Sequence, residues 1–402
     1  MVREAFIYDA IRTPRGRGRP DGALADVKPL HLVAGLLKEL SARHDIGGDA
    51  VDEIVLGTVN PHGEQGSVLG RIAALAAGWG PHPAGLQVNR FCASGSEAIH
   101  IAAAKIAAGH ADLIVAGGVE SMSRVPMGSD GGPWAEDIDG AVGGAYVPQG
   151  ISADIIATMD GMTRAELDGF ALRSHHLADR AQKAGHFDGS VVPVRDAAGL
   201  PLLDRDELVR PDTTLERLGQ LRPAFAGVGA EGYDLIARDV YPGIGPVHHL
   251  HTAGNSSGIA DAAALVVLGS SEAGQRHGLT PRGRVAGCAV VGSDPTVMLT
   301  GPGPAVDRLL ATHRLGYGDV DLFEVNEAFA SVALRFLRHA GIDPDRMNPN
   351  GGAIALGHPL GATGAILTGT LLDELERRGL RRGVVTLCAA GGMAIATLIE
   401  RV

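Results

Sequence analysis

The segment 89–97 places Cys92 directly ahead of a predicted helix. Ser94 is expected to cap that helix, with Glu97 three residues later completing a capping box. The alanine-rich run 98–108 is apolar on nearly every side, so we expect its helix to be buried. A thiol at a helix start lies near free N–H groups and the positive end of the helix dipole, which lower its pKa. Cys92 is therefore a candidate nucleophile, and a buried, inert cysteine is the alternative.

Three further polar residues lie where strand-like segments end or helix-like segments begin. Asn326 follows the strand-like run 322–325, Cys388 follows the apolar run 384–387, and His358 precedes a predicted helix. Ligand sites of parallel α/β sheets gather at such positions. Taken singly, each residue has a structural explanation, as a helix cap, a small buried residue or a satisfied core histidine. Taken together they fit acyl transfer. A cysteine nucleophile needs a base, a second thiol can serve as acid/base, and an amide can stabilise an oxyanion.

The composition is that of a globular protein with room for two or three domains: 402 residues, 45% of them hydrophobic and 20% charged. A net charge of -11 argues against nucleic acid as the main partner, although a local basic patch could still bind an anion. The three cysteines are odd in number and lack a framework spacing, which favours a reducing compartment. Because the N-terminus does not resemble a signal peptide and no run resembles a membrane span, we expect a cytoplasmic protein without membrane contact.

Strands that alternate with helices predict α/β layering. The predicted strands cover 5–10, 51–57, 112–118 and 284–291, and the predicted helices cover 30–40, 70–77, 164–183 and 305–312. Residues 123–250 are richer in Pro, Gly, Asp and Arg and less regular, which indicates a large insertion over the core. We therefore expect a first half (1–122 with 251–270), an inserted domain (123–250) and a second half (271–402).

A weak internal repeat relates the two halves. Residues 50–55 resemble 319–324, and the helix after Cys92 is matched by a helix over 362–378 after His358. Each helix leads to a strand that is expected to end in a glycine pair, at 117–118 in one half and 391–392 in the other. Duplication would place Cys92 and His358 at equivalent strand-to-helix turns. Chance similarity in Ala/Gly-rich sequence is the alternative.

Five motifs together resemble the thiolase family, the acetyl-CoA acyltransferases. They cover 89–95, 117–123, 326–330, 350–361 and 388–392, in the order in which the family carries them. The resemblance implies an α/β thiolase fold, a duplicated five-layer αβαβα core with a CoA-binding loop domain inserted in the first half. It also implies a homodimer or homotetramer that acts on acyl-CoA and CoA, with other β-oxidation enzymes as candidate partners. Coenzyme A would be a substrate, and the resemblance implies no permanently bound cofactor and no metal.

The resemblance also implies a role for each motif. Cys92, with His358 as its base, attacks the 3-keto carbon of a 3-oxoacyl-CoA. Acetyl-CoA then leaves as an enolate that Cys388 protonates, and free CoA removes the acyl group from Cys92. Asn326, through a held water, and His358 would form one oxyanion hole, and the backbone N–H groups of Cys92 and Ala390 would form the other.

Some positions depart from the family pattern or are matched less firmly. Ala390 stands where the family usually has glycine. Alanine also has a backbone N–H, so the donor is kept, but alanine disfavours a positive φ. Ser257 and Arg210 match positions near CoA in relatives, and a solvated surface charge is the alternative for Arg210. Acetoacetyl-CoA-specific relatives tend to carry a His-Met-Gly segment, and the comparable run 158–163 lacks that histidine. We therefore expect a 3-ketoacyl-CoA thiolase of the β-oxidation type rather than an acetoacetyl-CoA-specific acetyltransferase.

Three rival classes remain at this level. Ketoacyl synthases share the fold and the nucleophile but lack the late cysteine. A non-catalytic CoA- or lipid-binding relative would lack a catalytic position, whereas all four are present here. A metal enzyme could use His248, His249 and His251, but these have no Cys or Glu at a usual zinc spacing.

Overall fold

The computed structural model describes residues 3–133, 137 and 143–402. The strands are β1 (Phe6–Arg12), β2 (Gly16–Arg17), β3 (Glu53–Gly57), β4 (Ala84–Val88), β5 (Leu113–Ser121), β6 (Val194–Arg195), β7 (Pro201–Leu203), β8 (Ala260–Gly269), β9 (Gly283–Gly292), β10 (Leu322–Val325), β11 (Arg382–Ala389) and β12 (Met393–Arg401). The helices of the first half and the insertion are α1 (Pro29–His44), α2 (Leu69–Ala76), α3 (Ser94–Ala107), α4 (Gln149–Met159), α5 (Arg164–Lys183), α6 (Leu215–Gly219), α7 (Ala226–Val228) and α8 (Asp234–Val240). Those that follow are α9 (Ser271–Arg276), α10 (Pro302–His313), α11 (Ala330–Ala340), α12 (Ala353–Leu356) and α13 (Thr363–Arg378).

The main sheet consists of two half-sheets with matching strand order. The first runs β4-β3-β5-β8-β1 and the second runs β10-β11-β12-β9. In each half, parallel pairing (β4-β3-β5 or β10-β11) gives way to antiparallel pairing (β5-β8-β1 or β11-β12-β9). The half-sheets join where Phe6 and Ile7 of β1 pair with Arg284 and Gly283 of β9.

Equivalent aspartates mark the duplication at atomic detail. Asp52, ahead of β3, accepts the backbone N–H groups of Asp112 and Leu113 where β5 begins. Asp321, ahead of β10, accepts those of Arg381 and Arg382 where β11 begins. The two half-sheets thus start their central parallel strands in the same way, which supports duplication over chance similarity.

Helices complete the layers around the two half-sheets. The buried core between the half-sheets is built from α3 and α13, whose small residues let the two helices pack directly on each other. Helices α1 and α2 cover the outer face of the first half-sheet, and α10 and α11 cover that of the second. The order helix, sheet, helix, sheet, helix is the expected five-layer α/β architecture.

The insertion between β5 and β8 packs on this core. Buried residues of α4 and α5, such as Ile155 and Phe170, belong to the same apolar cluster as Phe336 of α11. A buried ion pair also fixes the insertion to the end of β1. Asp206 accepts hydrogen bonds from Arg12 Nη1 at 2.7 Å and from the Arg15 backbone N–H at 2.8 Å.

Several local predictions are confirmed. Helix α5 spans 164–183 as predicted, and its capping box joins Thr163 and Glu166. Gly379 ends α13 in the left-handed conformation, with φ 65°. The Ala-rich run that includes Leu268, for which no secondary structure was predicted, forms β8, a strand buried along its whole length.

Three details differ from the sequence-based expectation. Ser94 is the first residue of α3 and not its cap, because its hydroxyl is used inside the preceding turn, and Glu97 pairs with Arg90. Gly117 and Gly118 lie within β5 and do not end it. His358 follows the short helix α12 and not a strand, since the second half keeps only an isolated bridge between Phe323 and Met347 where β4 stands in the first.

Candidate active site

A strained turn presents Cys92 at the start of α3. Phe91, the residue before it, adopts a left-handed φ of 47°, which is unfavourable for a residue with a Cβ. Asn89 Oδ1 accepts the Phe91 N–H at 2.8 Å, and Ser94 Oγ accepts the Arg90 N–H at 2.8 Å. The side chains of the motif therefore fix the backbone conformation that carries the thiol.

The thiol of Cys92 is buried in a small apolar cluster. Its neighbours there are Val59, Met122 and Leu360, and the last of these lies two residues beyond His358. Burial raises the pKa of Cys92, and the nearby Cys388 and Glu120 raise it further. The expected lowering of this pKa at the helix start is wrong. Desolvation outweighs the favourable backbone contact, and Cys92 rests as a neutral thiol.

The hydrogen bonds of His358 define its tautomer. Thr363 Oγ1 lies 2.7 Å from His358 Nδ1 and donates its own proton to the Pro359 carbonyl at 2.8 Å. Nδ1 must therefore carry the proton, which leaves Nε2 as an acceptor for Asn326 Nδ2 at 3.3 Å. Burial and the charge of Arg15 lower the pKa of His358 to about 4, so the imidazole is neutral with a free lone pair at Nε2.

Asn326 lies directly after β10, and its backbone N–H donates to Thr386 of β11 at 3.0 Å. This bond places the amide between the two parallel strands of the second half. Its Oδ1 atom is buried and has no hydrogen-bond partner within the described parts of the chain. A buried amide oxygen needs a partner, so this atom fits the water expected at the first oxyanion hole.

Cys388 lies near the end of β11, where it pairs with Ala394 of β12 and is 1% exposed. Burial raises its pKa to about 12, so this thiol is also neutral at rest. Ala390, two residues after Cys388, does not have a positive φ. The left-handed conformations of this turn fall on Gly391 and Gly392 (φ 74° and 72°). The alanine is therefore compatible with the local backbone.

Glycines allow the cysteine turn and the histidine loop to meet. A Cβ on Gly118 would lie 2.0 Å from the Gly361 carbonyl oxygen, and one on Gly95 would lie 2.7 Å from the same atom. Gly57 is equally tight, since its Cβ would meet the Ser94 carbonyl carbon at 2.3 Å. Side chains at these positions would push the loop that follows His358 away from Cys92.

Of the two predicted CoA contacts, Ser257 lies close to the site and Arg210 lies further out. The Ser257 N–H donates to Ala328 at 3.0 Å, and the His358 N–H donates to Gly258 at 2.8 Å. This loop therefore touches both the asparagine and the histidine motifs. Arg210 is exposed, and its backbone N–H donates to His175 Nδ1 at 3.2 Å.

Two of the three histidines of the rival metal site have carboxylate partners on their rings. His249 contacts Asp154 through Nδ1 at 2.9 Å and Asp234 through Nε2 at 3.0 Å, and His251 Nδ1 contacts Asp154 at 2.7 Å. Across the described ranges, no group of three or more His, Cys, Asp or Glu side chains could hold a metal ion. No helix there is both long and apolar enough to cross a membrane.

Two polar residues of the site were not predicted from the sequence. Thr363, five residues after His358, orients the imidazole. Glu120, the one charged residue of the buried strand β5, accepts backbone N–H groups from both Val59 and Gly361. A lone carboxylate in an otherwise apolar buried strand is a signal that could have indicated the second residue.

Models of the thiolase N-terminal and C-terminal domains match residues 5–231 and 279–401. The chain belongs to the thiolase family. It is 44% identical to the beta-ketoadipyl-CoA thiolase of Pseudomonas aeruginosa and 39% identical to a 3-ketoacyl-CoA thiolase of Cronobacter sakazakii, with each match covering 100% of both proteins. The human mitochondrial 3-ketoacyl-CoA thiolase, solved in complex with CoA, superposes with a TM-score of 0.86 at 32% identity, over 100% of this chain and 98% of that one.

These likenesses establish the reaction class. The protein is an acyltransferase that carries out CoA-dependent thiolytic cleavage of 3-oxoacyl-CoA. The reaction is reversible, and its reverse direction is a Claisen condensation. Coenzyme A is its substrate, and the reaction uses no permanently bound cofactor.

Proposed function

We propose that Cys92, His358, Asn326 and Cys388 carry out this reaction through an acyl-cysteine intermediate. The observation that supports it most is the contact between the base and the amide. His358 Nε2, held unprotonated by Thr363, faces Asn326 in a buried site next to the loop that packs on Cys92. Cys388 raises the pKa of the Cys92 thiol, which supports a second sulfur close to the first.

In the first half-reaction the Cys92 sulfur bonds to the 3-keto carbon while its proton passes to His358 Nε2. Because both groups are neutral at rest, bond formation and proton transfer have to be coupled. Asn326 with its water and the N–H groups of Cys92 and Ala390 stabilise the oxyanions that develop. Collapse of the adduct breaks the carbon–carbon bond, and the acetyl-CoA enolate takes its proton from Cys388.

In the second half-reaction Cys388 acts as a base where it first acted as an acid, and Cys92 becomes the leaving group. The thiol of free CoA gives its proton to the Cys388 thiolate and bonds to the acyl carbon on Cys92. Collapse of that adduct releases the shortened acyl-CoA. The Cys92 sulfur recovers its proton from the His358 imidazolium, which restores the starting state.

Two substitutions test these assignments. Cys92→Ser should leave the fold intact, as judged by circular dichroism, and abolish acyl transfer from 3-oxoacyl-CoA; full activity would contradict the nucleophile assignment. Cys388→Ala should stop thiolysis and condensation but still permit slow acylation of Cys92, detected as a mass increase on the protein. Unchanged exchange of acetyl-CoA in this variant would contradict the acid/base role.

We further propose that the natural substrates are longer than acetoacetyl-CoA. Support comes from the run 158–163, which lacks the histidine of acetoacetyl-specific relatives, and from relatives named for 3-ketoacyl-CoA and beta-ketoadipyl-CoA. Fatty-acid β-oxidation is one candidate pathway, and cleavage of 3-oxoadipyl-CoA is the other. Comparing kcat/KM for 3-oxohexanoyl-CoA and 3-oxoadipyl-CoA separates them, because these six-carbon substrates differ only by a terminal carboxylate. A higher value for acetoacetyl-CoA than for both would contradict the proposal.

The remaining expectations are proposals of the same kind. Ser257 and Arg210 would contact CoA, the first near pantetheine and the second further out, with residues 123–250 as the CoA-binding domain. We propose a homo-oligomer formed at the edge strand β4 and the exposed side chains of α2, Ile72 and Leu75. Sedimentation measurements would distinguish this oligomer from a monomer. A cytoplasmic location stays a prediction.

A further inference from the structure

Glu120 is a buried carboxylate for which the reaction scheme gives no role. It lies at the end of β5 with 0% exposure, next to last in a strand that is otherwise uncharged. It accepts the N–H of Val59, which packs beside Cys92, so the carboxylate lies near the nucleophile and its charge raises the pKa of that thiol. A buried carboxylate is costly unless hydrogen bonds compensate it, so the partners of Glu120 indicate what it stabilises.

Within the described parts of the chain, the hydrogen-bond partners of this carboxylate are all N–H donors. Oε2 accepts the backbone N–H groups of Val59 and Gly361, both at 2.9 Å. Oε1 accepts the Asn60 N–H at 3.2 Å, Asn60 Nδ2 at 3.4 Å and Gln65 Nε2 at 2.8 Å. Burial raises the pKa of Glu120 and these donors lower it. Because both oxygens act as acceptors, the geometry fits the ionised form.

The two donors on Oε2 lead directly to the two reacting groups. The Val59 carbonyl accepts Asn89 Nδ2 at 2.8 Å, and Asn89 Oδ1 in turn holds the Phe91 N–H beside Cys92. On the other side, Gly361 belongs to the loop that begins at His358. One carboxylate oxygen therefore connects the cysteine turn of the first half to the histidine loop of the second.

We propose that Glu120 is a positioning residue that holds the His358 loop against the Cys92 turn. Its charge also adds to the burial that raises the pKa of the Cys92 thiol. The inference rests on the proposed roles of Cys92 and His358. It predicts two separable effects, one on geometry and one on thiol ionisation.

Two substitutions at this position separate the effects. In Glu120→Gln an amide NH₂ replaces one carboxylate oxygen, and at either position it would face N–H donors, so one of the two loops is displaced. The substitution also removes the negative charge. Glu120→Asp keeps the charge but is one methylene shorter, so it cannot reach both loops. Glu374→Gln is a matched control, because Glu374 is also buried and hydrogen-bonded, to Asn350 and Arg377, and none of its described hydrogen bonds reaches the Cys92 turn or the loop that begins at His358.

The experiment measures thiolysis of acetoacetyl-CoA and the pH dependence of Cys92 alkylation by iodoacetamide, followed by peptide mass spectrometry. Glu120→Gln should lower kcat about 10- to 100-fold with KM for CoA little changed, the loss expected for a small misplacement of reacting groups. Its alkylation midpoint should move to lower pH by about half a unit or more. Glu120→Asp should show the loss in kcat without the shift, and Glu374→Gln should show neither.

The possible failures are distinguishable. If alkylation of Cys92 in the unmodified protein leaves thiolysis intact, the proposed reaction itself is wrong. If that control behaves as expected, a kcat within twofold of the unmodified protein in Glu120→Gln overturns the positioning role. An unshifted alkylation midpoint in that variant overturns the charge effect. Should Glu120→Gln not fold, a normal kcat in Glu120→Asp overturns the positioning role instead.

Discussion

Removing the hydroxyl of Thr363 should disable the base while preserving the fold. Thr363 is buried at 2% exposure, accepts the Nδ1 proton of His358 at 2.7 Å and donates to Pro359. In Thr363→Val the side chain keeps its volume but loses this acceptor. The buried Nδ1–H is then unsatisfied, and the imidazole can shift its proton to Nε2, the atom that has to accept the thiol proton.

The size of the effect follows from the hydrogen bond that is lost. An unsatisfied buried polar group costs about 1–3 kcal/mol, and each 1.36 kcal/mol corresponds to about a factor of ten. If that cost appears as loss of the productive tautomer, kcat/KM for thiolysis should fall about 5- to 160-fold. Acylation of Cys92 in single-turnover experiments should fall by the same factor, because the base acts in that step.

Two controls isolate the tautomer from general destabilisation. Thr363→Ser retains the hydroxyl and should keep most of the activity. Thr368→Val lies on the same helix, is also fully buried, and loses only a bond to the Gly364 carbonyl at 2.9 Å. Activity of Thr363→Val within twofold of that of Thr368→Val would refute the reasoning.

Two further predictions concern pH and packing. Because His358 has its pKa lowered to about 4 from 6.5, the unfolded chain takes up a proton here before the folded protein does, so stability is kept above pH 6.5 and lost as pH falls towards 4. Between pH 7 and pH 5 the free energy of unfolding, measured in urea, should fall by about 2 kcal/mol more in the unmodified protein than in His358→Asn. An equal fall in the two proteins would contradict this. Gly118→Ala should destabilise the fold by about 3 kcal/mol or more, since its Cβ would lie 2.0 Å from the Gly361 oxygen. Gly169→Ala, in an open position of α5, should be neutral or stabilising by up to about 1 kcal/mol, and equal melting temperatures for the two variants would refute the packing argument.

Local sequence rules predicted those elements whose physics is local. The amphipathic run 164–183 became α5 with the same ends, because periodicity and a capping box act within one helix. Gly379 ends α13 because only a residue without Cβ takes the left-handed conformation at no cost. The motif residues Cys92, His358 and Cys388 were identified from residue type and order alone, and their catalytic roles stay predictions.

Two features near the nucleophile differ from what local rules predict, one because of a tight turn and one because of non-local packing. Ser94 has the sequence of a helix cap, yet the turn around Phe91 uses its hydroxyl first. The thiol of Cys92 lies at a helix start, which favours a thiolate, yet its pKa is raised because residues from distant segments remove water from it.

The sequence by itself determined the α/β class and the identities of the candidate reacting groups, and it indicated the duplication, since these depend on periodicity, glycine placement and residue chemistry. Only the tertiary structure decided the protonation states, the tautomer of His358 and the part played by Glu120. The tautomer depends on the hydrogen bonds of Thr363 within one loop. The protonation states and the part played by Glu120 depend on which groups from the two halves share a buried environment, where hydrogen bonds join residues more than 200 positions apart in the chain.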